Sequence, residues 1–409
     1  MLTIQAAQRR GAERGKLALA LAGGGPLGFF YELGALHALG EAIEGRELTK
    51  FDVFVGVSSG AMIAAALASG FDTAAMCSMF LYDDSVPIPF SPAVFRRPAF
   101  AEYAHRMIFL PEVLTQIAQR CARDPRSGVW EAAIGPLARL LPTALFDNRP
   151  MQDYLRLVFN SDGRKDDFRQ LPSRLYVVAT NLNTGASVPF GGPGHQQVPI
   201  SRALLASSAL PGLYPAVEID GQQYVDGALI RTMHASLALQ EKCNLVICIN
   251  PIVPFYASPS RTPRPINLAQ EGLPAILGQT FRALVHSRLN VGMASYRTRY
   301  PMADTLLLEP DPHDQRLFFA NVFRYTGRLG LADHAYRCTR RDLLAQARSL
   351  QPLLERRGLG LNIDVLRDQT RSIPATVIRT SQRVRQTAHR LDLALGRIEG
   401  MLQAPGTAG

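Results

Sequence analysis

Within its first seventy residues the chain repeats one unit: a short apolar run, a glycine-bearing turn, then an apolar stretch at helical spacing. In the first copy KLALALA (16–22) leads into Gly23-Gly24-Gly25-Pro26-Leu27-Gly28, and Leu33, Leu36 and Leu39 mark the helix that follows. In the second, FDVFV (51–55) leads into Gly56-Val57-Ser58-Ser59-Gly60, with a helix over 59–69. Near-continuous apolar strands that alternate with helices are buried on both faces. They predict a mainly parallel sheet with covering helices.

The remaining strand signals extend that sheet. They are RLYVVAT (174–180), a hairpin at 216–219 and 222–225 turning around Asp220-Gly221, NLVICIN (244–250) and TLLLEP (305–310). Residues 71–150 have a different character, with many prolines, aromatics and helical stretches. They predict an inserted helical cap, with Phe90, Phe95, Phe100, Ile108 and Phe109 available either to line an acyl channel or simply to pack. The expected organisation is a flexible tail over 1–15, a catalytic domain over 16–330, and an Arg-rich helical extension over 331–409. In the extension Val377, Ser381, Val384, Ala388, Leu391, Leu395, Ile398 and Leu402 recur at alternating four- and three-residue steps, the seam of a packed helix.

The second turn bears chemistry. In Gly-x-Ser-x-Gly the outer glycines Gly56 and Gly60 let strand and helix crowd around a strained central serine, so Ser58 fits a nucleophile elbow. Ser59, flanked at the same distances by Val57 and Ala61, does not. The helix beginning after Ser58 directs its positive end at the site.

The first turn fits G-x-G-x-x-G through Gly23, Gly25 and Gly28. A dinucleotide fold needs an acidic residue at the end of the second strand to hold a ribose, and here that strand ends in Gly56-Val57-Ser58. The alternative use of such a loop is an oxyanion hole built from glycine amides. A purely structural turn is the third reading.

A serine nucleophile needs a proton acceptor. The eight histidines, His37, His105, His195, His234, His286, His313, His334 and His389, stand in no recognisable catalytic context. Asp226 closes the second arm of the hairpin in YVDGALI (224–230), and Gly227 permits a sharp turn beside it. A carboxylate, ordinarily with a pKa near 3.9, serves as a base when desolvated and hydrogen-bonded to the hydroxyl. An Asp-Gly pair is also an ordinary turn.

Taken in order, the glycine loop, the elbow about thirty residues later and the distant Asp226-Gly227-Ala228 resemble the patatin-like phospholipase family. LFDNRPMQDYL (145–155), ATNLNTGASVPF (179–190) and ASSALPGLYPAVEIDGQQYVDGAL (206–229) look like stretches of the same family, so the resemblance covers about 17–240. It implies a three-layer α/β/α sandwich and a Ser-Asp dyad without histidine. Ser58 would be the nucleophile, Asp226 the proton acceptor, and Gly23, Gly24, Gly25 and Gly28 the oxyanion loop. The implied activity is hydrolysis of lipid acyl esters through an acyl-serine, with no metal or organic cofactor. Many members carry Arg or Lys just before the last glycine of the loop. Here Leu27 stands there, so a fixed positive charge is missing while the backbone donors remain. Transacylation or cleavage of a storage polyester would use the same dyad. An inactive lipid-binding scaffold is a reading of another class.

Composition narrows the surroundings. The net charge is +10, and only Lys16, Lys50, Lys165 and Lys242 of the 44 basic residues are lysine, a bias that gene base composition explains as readily as anion contacts. Cys77, Cys121, Cys243, Cys248 and Cys338 form no CxxC pair, which fits a reducing compartment. Residues 1–15 lack the apolar core of a signal peptide, and no apolar run approaches the roughly 18 residues of a membrane span. These features predict a cytoplasmic protein, at most peripheral to a membrane, that takes a lipid or acyl ester. Transient membrane-surface contact and pairing of copies through the C-terminal helix are compatible with them. No nucleic-acid partner is expected.

Overall fold

The computed structural model describes residues 1–8, 15–82, 88, 90–123, 129–257, 267–318 and 325–377. Its elements in chain order are β1 (Leu2–Gln5), β2 (Lys16–Leu21), α1 (Gly25–Ala42), β3 (Ile43–Glu44), β4 (Val53–Val57), α2 (Ser59–Ala68), α3 (Thr73–Leu81), α4 (Phe100–Met107), α5 (Leu110–Arg123), α6 (Val129–Ala138) and α7 (Arg149–Phe159). Then come β5 (Arg174–Asn181), β6 (Ser187–Phe190), α8 (Ile200–Ser207), β7 (Val217–Ile219), β8 (Gln222–Asp226), α9 (Ala235–Gln240), β9 (Cys243–Ile249), α10 (Leu273–Arg299) and β10 (Asp304–Leu308). The chain continues through α11 (Gln315–Phe318), α12 (Arg328–Ala345), α13 (Ala347–Glu355), β11 (Gly360–Leu361) and α14 (Ile363–Arg367).

The main sheet has the order β1-β10-β9-β2-β4-β5-β8-β7, with β6 also paired to β5. Its centre, β10-β9-β2-β4-β5, is parallel, while β1, β6, β7 and β8 run antiparallel to their neighbours. Side chains of a strand alternate between faces, and this sheet buries both. Leu17, Leu19 and Leu21 of β2 join one core with α1, α2 and α12, whereas Ala18 and Ala20 join a second with α9 and α10. The result is the expected three-layer α/β/α sandwich. Helix α1 is apolar around nearly its whole circumference because it lies between the sheet and α12.

Two expectations need correction. The start of the tail expected to be flexible is strand β1, paired antiparallel with β10 from Leu2↔Leu308 to Gln5↔Thr305, with Leu2 buried. Four residues are too few for alternation to register as a strand signal, and pairing with β10 supplies what local sequence does not. The segment after 330 does not stand apart either, since Ala332, Ala335 and Tyr336 of α12 enter the same core as Leu33 and Leu36. The seam expected from Val377 to Leu402 lies outside the described residues beyond Val377, which is itself buried.

The region 71–150 is helical as expected, although α3 belongs to the flanking layer, with Met76 and Cys77 buried against the core. Phe90 and Phe95 face an apolar cavity of about 30 Å³ together with Met62, Ala66, Phe80 and Tyr154. Phe100 and Ile108 are exposed and are not among the residues that line this cavity.

Candidate active site

Sheet register brings the site residues to one level. Val57 at the end of β4 pairs with Val178 of β5, and the next residue of β5, Ala179, pairs with Asp226 of β8. Ser58, one step beyond Val57, therefore arrives level with Asp226 across β5. Its Oγ donates a 2.6 Å hydrogen bond to Asp226 Oδ2, joining side chains 168 residues apart. Both residues are buried.

The elbow has the strain that its sequence implies. Ser58 sits at φ 51°, ψ −121°, a left-handed conformation rare outside glycine. A Cβ on Gly60 would stand 2.5 Å from the Ala22 carbonyl oxygen, and one on Gly56 would stand 2.3 Å from Ala61 Cα, so neither position accommodates a side chain. Ser207, which the sequence reading did not single out, secures the turn. Its Oγ accepts the Ser58 N–H at 2.8 Å and donates to the Val178 carbonyl at 2.6 Å. The signal for it was only the small-residue stretch ASSALPG, which has no fixed spacing to Ser58.

Asp226 is held from its other side by the Ala228 N–H, which donates to Oδ1 at 2.8 Å. Gly227 lets the chain pass beneath β5, where a Cβ would lie 2.3 Å from the Val178 carbonyl oxygen. Burial pushes the Asp226 carboxyl up to about 6, against the lowering effect of the bonds from Ser58 and Ala228. It therefore holds a proton far better than an exposed aspartate while remaining ionised at neutral pH.

The glycine loop adjoins the dyad. A Cβ on Gly23 would lie 3.0 Å from Ala228 Cβ and 3.2 Å from Ser58 Cβ. The four glycines of the loop have unequal roles. Gly23 N–H donates to the Thr232 carbonyl, Gly24 N–H to Ser59 Oγ at 2.9 Å, and Gly28 N–H to the Gly24 carbonyl. Gly25, at φ 60°, is exposed, and its amide has no partner among the described residues; nor has the amide of Ser59 at the start of α2. Ser59 is thus no bystander, since it ties the loop to the elbow helix. Leu27 is half-buried against the core.

Among the described residues no histidine bonds to Ser58 or Asp226. His37 is held by Thr73 and Thr376, and His334 by Asp314. His234 is buried, and its imidazole is pushed down to about 4 by desolvation. His389 lies outside the described residues.

This ordered set of loop, elbow and carboxylate coincides with a family match. The model of patatin-like phospholipase matches residues 19–239, more than half of the chain. The chain belongs to the patatin-like phospholipase family. Solved structures similar to this patatin-like chain include VipD from Legionella pneumophila, at 19% identity and TM-score 0.33, covering 64% of this chain and 55% of that one. A second is the complex of full-length SpcU with full-length ExoU from the type III secretion system of Pseudomonas aeruginosa, at 17% identity and TM-score 0.26, covering 72% of this chain and 54% of that one. A third is the type III effector protein ExoU, at 14% identity and TM-score 0.26, covering 100% of this chain and 70% of that one. The patatin-like chain spans about half the length of the first two. No curated protein sequence matches it. Among the described residues no helix is long and apolar enough to cross a membrane.

Proposed function

We propose that the protein hydrolyses lipid acyl esters with Ser58 as nucleophile and Asp226 as the sole proton carrier. Family membership implies lipid acyl hydrolase activity. The observation that carries the finer reading is the 2.6 Å bond from Ser58 Oγ to a buried carboxylate whose proton affinity is raised.

In this mechanism Ser58 Oγ attacks the ester carbonyl carbon as its proton passes to Asp226 Oδ2. The oxyanion forms beside the N-terminus of α2 and the glycine loop, where the unpartnered Ser59 and Gly25 amides are the candidate donors. One such donor is typically worth about 3 to 4 kcal/mol in the transition state. Collapse breaks the bond to the leaving alcohol, which takes the proton from Asp226 and leaves an acyl-Ser58. Water then gives its proton to Asp226 and attacks the acyl carbon. Release of the acid returns the proton to Ser58. A small apolar cavity against Met62 and Ala66, on the same helix as the elbow, is the side toward which an acyl chain would have to open space.

The test is labelling with a fluorophosphonate and turnover of defined esters. Wild-type protein should label and release free acid. Ser58→Ala should do neither, with turnover down by up to about a millionfold. Ser59→Ala should label and retain turnover within roughly tenfold, because it loses one hydrogen bond to the loop. Transfer of the acyl group to an added alcohol in preference to water would replace hydrolysis with transacylation. Absence of labelling in folded wild-type protein would leave a lipid-binding scaffold.

A further inference from the structure

Helix α6 has an apolar side that no element covers among the described residues. Trp130, Ile134 and Leu137 recur at positions i, i+4 and i+7, and Leu141 follows one turn beyond the helix. They are 78%, 66%, 39% and 68% exposed. The helix is anchored by other positions, since Ala132, Ala133 and Pro136 are buried and α6 packs on α5. Helix α4 repeats the pattern, with Phe100, Met107 and Ile108 exposed along one side. The two helices are tied together where α6 ends, because Thr143 Oγ1 donates to Glu102 at 2.8 Å and Arg106 reaches the Arg139 carbonyl. Single exposed apolar residues are ordinary on a protein surface, whereas exposed apolar stripes on two helices tied together mark an interaction surface.

The charge around the stripes selects the partner. Among the described residues between 96 and 141 there are six Arg (96, 97, 106, 120, 123, 139) and three acids (102, 112, 131), six minus three or +3, with no Lys. Glu102 and Glu112 are engaged by Arg106 and Arg139. Arg120 is exposed, and its guanidinium lies against Gly135, beside Ile134. Two copies would bring like charges together at such a face. An anionic bilayer accepts it, with Trp and the aliphatic side chains entering the acyl boundary and the guanidiniums remaining among the phosphates.

We infer that the α4–α6 surface, Trp130 included, is the contact through which this protein rests on anionic phospholipid bilayers. The inference rests on the lipid-ester reading of Ser58, because it says where the substrate surface is met.

Trp130 is the only tryptophan of the chain, so its fluorescence reports on this surface alone. The experiment uses the full chain carrying Ser58→Ala, so that the lipid stays intact, with vesicles of phosphatidylglycerol and phosphatidylcholine or of phosphatidylcholine alone. Emission should shift to shorter wavelength and the protein should sediment with the phosphatidylglycerol vesicles, more weakly at high salt. Ile134→Ser combined with Leu141→Ser should weaken that partitioning on the order of tenfold or more. The same double substitution in the Ser58 background should leave turnover of a soluble short-chain ester unchanged, which also shows that it folds. Sedimentation without an emission change, or without sensitivity to the double substitution, overturns the assignment of this surface. Absence of binding to phosphatidylglycerol vesicles overturns it too, as does a concentration-dependent dimer that already shields Trp130 in solution. Loss of soluble-ester turnover in wild-type protein would instead sink the catalytic reading, and the vesicle result would be judged separately.

Discussion

Replacing Asp226 by Asn should stop acylation and stabilise the fold, with a stabilisation that depends on pH. The carboxyl is buried, and its pKa stands near 6 against an ordinary 3.8. Between those values the native state binds the proton more tightly than the unfolded chain does. The Asp226 contribution to stability is therefore fully present below about pH 3.8 and is lost as pH rises through about 6. The loss amounts to roughly 3 kcal/mol above pH 6, at 1.36 kcal/mol per tenfold change in proton affinity. An asparagine stays neutral throughout. Its Oδ1 keeps the Ala228 N–H, and its amide donates to Ser58 Oγ, whose hydroxyl turns from donor to acceptor, so both contacts survive. Urea unfolding of the two proteins at pH 4, 5, 6 and 8 measures the difference. The gap should be near zero at pH 4, open through pH 5 and level off at up to about 3 kcal/mol in favour of Asp226→Asn at pH 8. A gap that is flat with pH, or that favours the wild type at pH 8, would refute the account of a carboxylate held charged against its surroundings.

On the proposed mechanism the same carboxyl should set the acid limb of catalysis: kcat/KM for a soluble ester should rise with pH through a single midpoint near 6, because a protonated Asp226 would not accept the Ser58 proton. A pH series at constant ionic strength checks it, and a midpoint that moves when His234 is replaced would point to a histidine base instead. Ser207→Ala should leave the Ser58 N–H without its acceptor and lower stability by about 1 to 3 kcal/mol, read by denaturant midpoint, together with a drop in kcat. Gly60→Ala should abolish the soluble fold or its activity, since the added Cβ would lie 2.5 to 2.7 Å from the backbone of Leu21 and Ala22; expression, circular dichroism and ester turnover report it.

What the sequence determined by itself is whatever short-range rules control. Apolar runs broken by glycine turns specified β2-α1 and β4-α2. The spacing of Gly56 and Gly60 chose Ser58 over Ser59, because a Cβ at either glycine collides with its immediate surroundings whatever the rest of the chain does. The hairpin ending in Asp226-Gly227 was legible for the same reason. The motifs could not assign Ser207, which meets Ser58 only because α8 packs beside β5, nor divide the loop amides between structural bonds and free donors. They did not reveal β1, whose four residues form a strand through pairing with β10 some 300 positions away. Nor did they reveal that Trp130 and Phe100 point to solvent, since amphipathic spacing is the same whether the apolar side of a helix meets the core or is left uncovered. The proton affinity of Asp226 likewise belongs to the fold alone, because desolvation arises only when β5, β8 and α2 close around a carboxyl that is an ordinary acid in the extended chain.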